Sequence, residues 1–325
     1  MDQIAGDSVF VDAGMQTPLV AICIPTYKRP QYLRGLLESL RAIESDGFRA
    51  HLIVVDNDLE GTASDIIEHA RSGFPMQISY LIEPTKGIAT VRNRLVAEAH
   101  RLSADYVAFI DDDQLPAPNW PGALVQLAIS HSADAVAGRW VPKFECDVPK
   151  WAKMSGYWNR PSLPTGALVR NFGTGNVVVR LASMLSFPGP FDEQCNLTGG
   201  EDTLFFRAFH EQGFVSIWYD EPLVQERITG SRSTARWMIN RGYRVGYGHG
   251  SSVRATNRTA YWKVVRFMRS AALVGKSAAI LPFDLPFGRA RIVPRLANIA
   301  RGVGGLMGLA NIGSIYKEYN RVHGR

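Results

Sequence analysis

Three aspartates in a row, Asp111, Asp112 and Asp113, close the apolar run YVAFI. Neighbouring carboxylates repel, and they cost stability unless something positive sits among them. The run is therefore either a solvated acidic turn or a handle for a cation. Oxygen-only donors suit magnesium or manganese, which bind through one or two carboxylates plus substrate phosphates. A second acidic pair, Glu201 and Asp202, opens the segment GGEDTLFFRAFHEQG. At a helix start, such a pair complements the helix dipole.

The elements that must position these groups are legible from periodicity. LVAICI (19–24), HLIVVD (51–56), QISYLI (77–82) and DYVAFI (105–110) read as buried strands. QYLRGLLESLRAI, TASDIIEHARS and GIATVRNRLVAEAHRL read as the helices between them. Strands alternating with helices imply parallel βαβ units and a sheet covered on both faces. Ligands of such sheets lie beyond the carboxyl ends of the strands. Pro25 and Thr26, Asp56 and Asn57, and Asp111 to Asp113 all fall at those ends. One crevice gathers them, which favours the cation handle, here clamping a diphosphate. Further on, PGALVQLAISHS reads as a helix and ADAVAGRWV as a strand. Residues 142–165 read as a loop over the site, and 166–180 as strand material around a glycine turn. Residues 199–213 read as a helix that starts at the acidic pair.

The chain has 325 residues, 46% hydrophobic and 20% charged, which describes a globular fold. Cys23, Cys146 and Cys195 are odd in number and lack zinc spacing, so a reducing compartment is expected. The acidic N-terminus does not read as a secretory signal. Charge is divided unevenly. Residues 226–325 carry 18 Lys and Arg against 3 Asp and Glu, whereas residues 1–225 carry 18 against 27. The expected organisation is an N-terminal segment (1–17), a catalytic domain (18–225) and a basic amphipathic helical region (226–325). Apolar runs in that last region are broken by Lys276, Pro282 and Asp284, short of the ~18–20 residues a spanning helix needs. Basic helices with apolar faces lie in membrane interfaces, so an anionic membrane surface is the expected partner. No nucleic-acid recognition fold accompanies the charge. PTYKRP after the first strand is neither a GxGxxG turn nor the glycine-rich, lysine-bearing loop of a nucleotidyltransferase.

Taken in order, the motifs resemble the inverting family 2 glycosyltransferases, over about residues 18–225. VAICIPTYKRP resembles their opening strand and nucleotide loop, and VVDND the strand whose aspartate reads the base. KGIATVRN resembles the helix whose arginine lies near the donor, FIDDDQ the DXD element, and GGEDTLFFRAFHEQG the motif with the catalytic base. Within the family, the chain looks most like bacterial polysaccharide transferases of the succinoglycan-assembly type. The resemblance implies an α/β GT-A fold: a mostly parallel sheet flanked by helices, here with a basic helical C-terminal extension. It implies that Pro25, Thr26 and Tyr27 frame the base. Asp56 would accept from a uracil N–H, favouring a UDP-sugar, with Asn57 assisting; a strand-end cap is the alternative for Asp56. Arg29 and Arg92 would reach the diphosphate. Asp113 would contact Mn2+ or Mg2+, with Asp111 nearer the ribose or a metal-bound water, and Asp112 on the donor side. Asp202 would take the acceptor proton, worth roughly 10²–10⁴-fold in rate, and Glu201 would orient the acceptor. Gly200 and Asn176 would line the acceptor, although Asn176 equally suits a turn. The expected activity is metal-dependent, inverting hexose transfer to a lipid-linked saccharide of bacterial exopolysaccharide or surface polysaccharide. It would take place in the cytoplasm, on the inner face of the cell membrane. A catalytically silent membrane-bound scaffold is the rival reading, and the intact DXD and ED elements argue against it.

Overall fold

Strand β1 (Leu19–Thr26) is apolar on both faces because both faces are covered. Val20, Ile22 and Ile24 point into one core, Ala21 and Cys23 into a second on the other side of the sheet. Strand β2 (Arg49–Asp56) pairs parallel with β1, and β3 (Gln77–Ile82) parallel with β2. On its other side β1 pairs parallel with β4 (Tyr106–Phe109). The connecting helices are α1 (Pro30–Leu40), α2 (Ser64–Arg71) and α3 (Ile88–Arg101). Helix α1 begins on Pro30, whose missing N–H the first turn does not need. It buries Leu33, Leu36, Leu37 and Leu40, one stripe at helical spacing. This is a computed structural model, and it describes residues 17–160, 162–170, 172–196, 199–255 and 260–312. The N-terminal segment, but for residue 17, and residues 313–325 of the basic region lie outside those described.

The sheet continues with β5 (Gln114–Pro116), β6 (Ala135–Phe144), β7 (Val177–Arg180) and β8 (Ser216–Ile228). Among these lie α4 (Gly122–Ser130), α5 (Lys150–Met154), α6 (Leu181–Leu185) and α7 (Glu201–Glu211). The strand order is β3-β2-β1-β4-β7-β6-β8-β5. β7 runs antiparallel to both β4 and β6, while β8 is parallel to β6 and antiparallel to β5. Two stretches depart from expectation. Residues 142–165 are not all loop, because β6 runs on to Phe144 and α5 follows. Of 166–180, only Val177–Arg180 enters the sheet as a strand, with Leu168 bridging to Ile217. β8 was not anticipated, because SIWYDEPLVQERI mixes charges into its apolar pattern.

Three helices follow: α8 (Ala235–Ala255), α9 (Ala260–Asp284) and α10 (Arg289–Ala310). α8 and α10 lie backbone against backbone. A Cβ on Gly242 or Gly246 would run into the carbonyl oxygens of Ala297 or Arg301. A small cluster of Val148, Ala152, Trp158, Ile228, Met238 and Val293 joins α5 and the end of β8 to α8 and α10. Among the described residues, no helix is long and apolar enough to cross a membrane.

Candidate active site

Parallel register sets the crevice. Thr26, the last residue of β1, lies opposite Asp56, the last of β2, and β4 runs beside β1 to the same edge. The Thr26 hydroxyl donates to the Asp112 carboxylate at 3.0 Å, tying the ends of β1 and β4 together. The aspartate run is then divided among three guanidinium groups. Arg29 sits 3.5 Å from both Asp112 and Asp113. Arg232, from the turn after β8, pairs with Asp113 at 2.6 Å. Arg92 of α3 lies 3.5 Å from Asp111 and donates to Glu201 at the start of α7. Positive charge does sit among the aspartates, supplied by arginines.

These three carboxylates are not equivalent. The side chains of Asp112 and Asp113 are 7% and 9% exposed, whereas that of Asp111 is 38% exposed and opens on the crevice. Burial pushes Asp112 above the ordinary carboxylate range, and Asp113 beside it adds to the push. Asp111 is raised too, by desolvation first and then, against the pull of Arg92, by Asp113 and Asp202. Glu201 is raised by burial, opposed by Arg92 and reinforced by Asp202. A desolvated carboxylate holds its proton more tightly, and a neighbouring negative charge tightens it further.

The loop before β7 completes the wall. A Cβ on Gly173 would sit 2.9 Å from Asp202 Oδ2, and one on Gly175 would sit 3.0 Å from Asp111 Oδ2. The two carboxylates therefore flank one short stretch of backbone, on which only glycine leaves room. Asp202 is half-buried, and its Oδ1 accepts from the Thr203 backbone N–H at 2.6 Å. Gly200, with φ of +92°, is the left-handed residue that turns the chain into α7, a conformation that favours glycine.

Several residues expected at the donor or acceptor hold their own loops in this structure. Asp56 is fully buried. Its carboxylate accepts from Asp58 N at 3.0 Å, Ala63 N at 3.1 Å and the Tyr80 hydroxyl at 2.9 Å, so it caps its own loop rather than facing a base. Asn57 holds the next loop, donating to the Glu83 and Thr85 carbonyls and accepting from Gly87 N. Asn176 is 1% exposed; it accepts from Trp120 Nε1 at 2.9 Å and donates to the Arg139 carbonyl at 3.0 Å, a turn residue locked inward. Pro25 is buried within β1. Tyr27 stays at the mouth, its ring 5.2 Å from the Lys86 ammonium and 5.8 Å from that of Lys28. Arg92 is only 8% exposed, so it braces Asp111 and Glu201 from within. Sequence reasoning missed Arg232. The signal was arithmetic: three adjacent acids, two of them buried, need more cations than Arg29 and Arg92 supply.

Among the described residues, no three or more His, Cys, Asp or Glu side chains gather as a metal cage. Magnesium-type ions do not require one, since they keep waters and take one or two carboxylates. Asp111 fits that role: an all-oxygen donor, open to the crevice, with Asp202 across the glycine loop. Asp113 fits it less well, because Arg232 and Arg29 already engage it.

Comparison with known proteins shows the family and the fold. The family model "Glycosyl transferase family 2" matches residues 21–187. Succinoglycan biosynthesis protein ExoM of Rhizobium meliloti (strain 1021) is 27% identical over 300 residues, covering 91% of this chain and 96% of that protein. The putative glycosyltransferase EpsH of Bacillus subtilis (strain 168) is 27% identical over 131 residues, 40% of this chain and 36% of that protein. Among solved structures, the mannosyltransferase PcManGT from Pyrobaculum calidifontis, in complex with GDP-Man and Mn2+, superposes with a TM-score of 0.55 at 16% identity. It covers 95% of this chain and 84% of its own. S. aureus TarS 1–349 with UDP superposes with a TM-score of 0.51 at 14% identity, covering 93% and 91%. The fold is that of the GT-A glycosyltransferases, and the chain belongs to glycosyltransferase family 2.

Proposed function

We propose that this chain moves a hexose, with inversion, from a nucleotide-diphosphate donor to a hydroxyl of a lipid-linked saccharide during exopolysaccharide assembly. The observation that carries the reading is the pairing of Asp111 and Asp202 across one glycine loop, braced by Arg92 and Glu201. It is supported by the names of the relatives, one a succinoglycan biosynthesis protein, and by the nucleotides bound in the structural neighbours.

Asp202 is the base in this reading. Its half-buried carboxylate takes the proton of the acceptor hydroxyl as that oxygen attacks the anomeric carbon from behind. The bond to the diphosphate breaks, the diphosphate leaves with the electron pair, and no covalent intermediate forms. Glu201 fixes Arg92, and Arg92 fixes Asp111. Mn2+ or Mg2+ held at Asp111 would neutralise charge on the leaving diphosphate. Asp113 anchors Arg232 instead, which ties the segment after β8 to the crevice floor. A UDP-sugar is the donor to test first, although Asp56, engaged by its own loop, does not choose the base. The basic region rests on the anionic inner face of the cell membrane, near the lipid-linked acceptor.

A panel of UDP- and GDP-sugars, with and without Mn2+, tests this through donor hydrolysis and protection against thermal unfolding. One nucleotide sugar should give metal-enhanced protection and slow hydrolysis. No protection by any of them would remove the reading.

A further inference from the structure

Helix α9 buries polar residues and exposes large apolar ones. Its fully buried residues are Ser270, Ser277 and Asp284, seven apart and at most 3% exposed, with the half-buried Val274 beside them against α10. It sits close on α10, where a Cβ on Gly302 would fall 2.8 Å from the Ser270 carbonyl oxygen. Asp284 is held there by Arg295 at 2.6 Å and Arg291 at 3.8 Å. Large apolar residues are among those α9 turns outward. Tyr261, Trp262, Phe267, Met268, Phe283 and, in the turn beyond, Phe287 are 42–76% exposed. Every exposed aromatic side chain among the described residues lies between 261 and 287. A helix in water shows the opposite arrangement, so this face is made for something other than water.

Charge identifies the occupant. Lys263, Arg269, Lys276 and Arg289 stand exposed among the apolar residues. Asp284 is the one acid between 260 and 312, and it faces inward. A second copy of the chain docked symmetrically on this face would bring cations against cations. An anionic bilayer interface offers apolar depth and negative headgroups together. The helix is not apolar enough to cross the bilayer, so it lies along the surface.

We infer that the outward face of α9 and the Phe283–Phe287 turn insert into the interface of an anionic bilayer, holding the chain there by hydrophobic burial as well as charge. The inference rests on the proposed lipid-linked acceptor and gives the membrane contact a specific element. It predicts that the crevice works unchanged when the contact is lost.

The test uses the full chain with vesicles of phosphatidylcholine alone or mixed with phosphatidylglycerol, read by co-sedimentation and by quenching of tryptophan emission with brominated lipid. The wild type should bind the anionic vesicles, retain part of that binding in high salt, and show quenching that Trp262→Phe reduces. A Phe283→Ser/Phe287→Ser variant alters only exposed side chains, so it should fold. It should partition roughly tenfold to a hundredfold more weakly, with donor hydrolysis unchanged. Equal binding by this variant, binding that salt removes completely, or quenching that Trp262→Phe leaves intact would overturn the inference. So would a lipid-free dimer that the double substitution dissolves. Loss of donor hydrolysis in the wild type, with vesicle binding intact, would instead count against the proposed transfer.

Discussion

The crevice and the C-terminal helices face opposite electrostatic problems. In the crevice, carboxylates crowd together, and Arg29, Arg92 and Arg232 thread between them. In the helices, cations crowd together. His249 is pushed down to about 4 by burial and by the nearby Arg266, Arg301 and Arg207. The first arrangement closes most of its charge internally and leaves Asp111 and Asp202 only partly buried. The second turns its one described acid inward and its apolar residues outward. Compensated charge makes a site for a small ligand, whereas uncompensated charge beside exposed apolar surface makes a site for an extended one.

The contrast places the largest effect in the crevice, at Asp202, the base in the proposed reading. Asp202→Asn should cut turnover by roughly 10²–10⁴-fold while donor affinity, read by calorimetry, stays the same. Near-normal turnover would take the base role away from Asp202. Next in size is the brace. Arg92→Leu strands Glu201 as a buried carboxylate and removes the partner of the more open Asp111, and should cost roughly 3–5 kcal/mol in denaturant unfolding. Pairing it with Glu201→Leu should restore part of that loss, and strict additivity would show that the two do not act as a unit.

Gly246→Ala probes the helical half. Its new Cβ meets the Arg301 carbonyl, so α8 and α10 must move apart, at about 1–3 kcal/mol. Thermal melting reads the loss, and donor protection should persist at temperatures below the melt.

The smallest effect is a difference in pH response. Glu226, beside Asp113, is raised to about 7, by burial first and by Asp113 second. The folded state then holds that proton where the unfolded chain releases it, so stability falls as pH rises from the ordinary carboxylate range to about 7. His249 is lowered, so the unfolded chain binds its proton first, and stability falls as pH drops from the ordinary imidazole range towards about 4. Glu226→Gln should flatten the first slope and His249→Asn the second. Each change should amount to about 1 kcal/mol or less, given partial exposure. Melting curves across pH that shift in parallel would break the distinction.

The βαβ half was legible because its strands are short apolar runs and its helices carry one clean stripe. β2 and β3 fall within two residues of the runs that announced them. The acidic groups were legible by type and by their position at strand ends. Their partners were not. Asp56 loses its freedom to Ala63 N and the Tyr80 hydroxyl, and Asn176 to Trp120 Nε1. Those contacts depend on how loops fold back, which no local periodicity records. Arg232 was hidden because it lies in the basic region, where composition draws attention to the membrane. The polarity of α9 was half visible. Ser270, Ser277 and Asp284 repeat every seven residues, but which side faces α10 is a matter of packing.

The most direct test is a crystal structure with UDP or a UDP-sugar and Mn2+, in which anomalous scattering locates the ion. The account predicts an ion beside Asp111, diphosphate over the β1–β4 edge, and Asp202 on the far side of the sugar, with Asp113 still bound to Arg232. An ion on Asp113 with Arg232 displaced would contradict the division of the aspartates. A donor bound elsewhere, with Asp202 remote from it, would contradict the site.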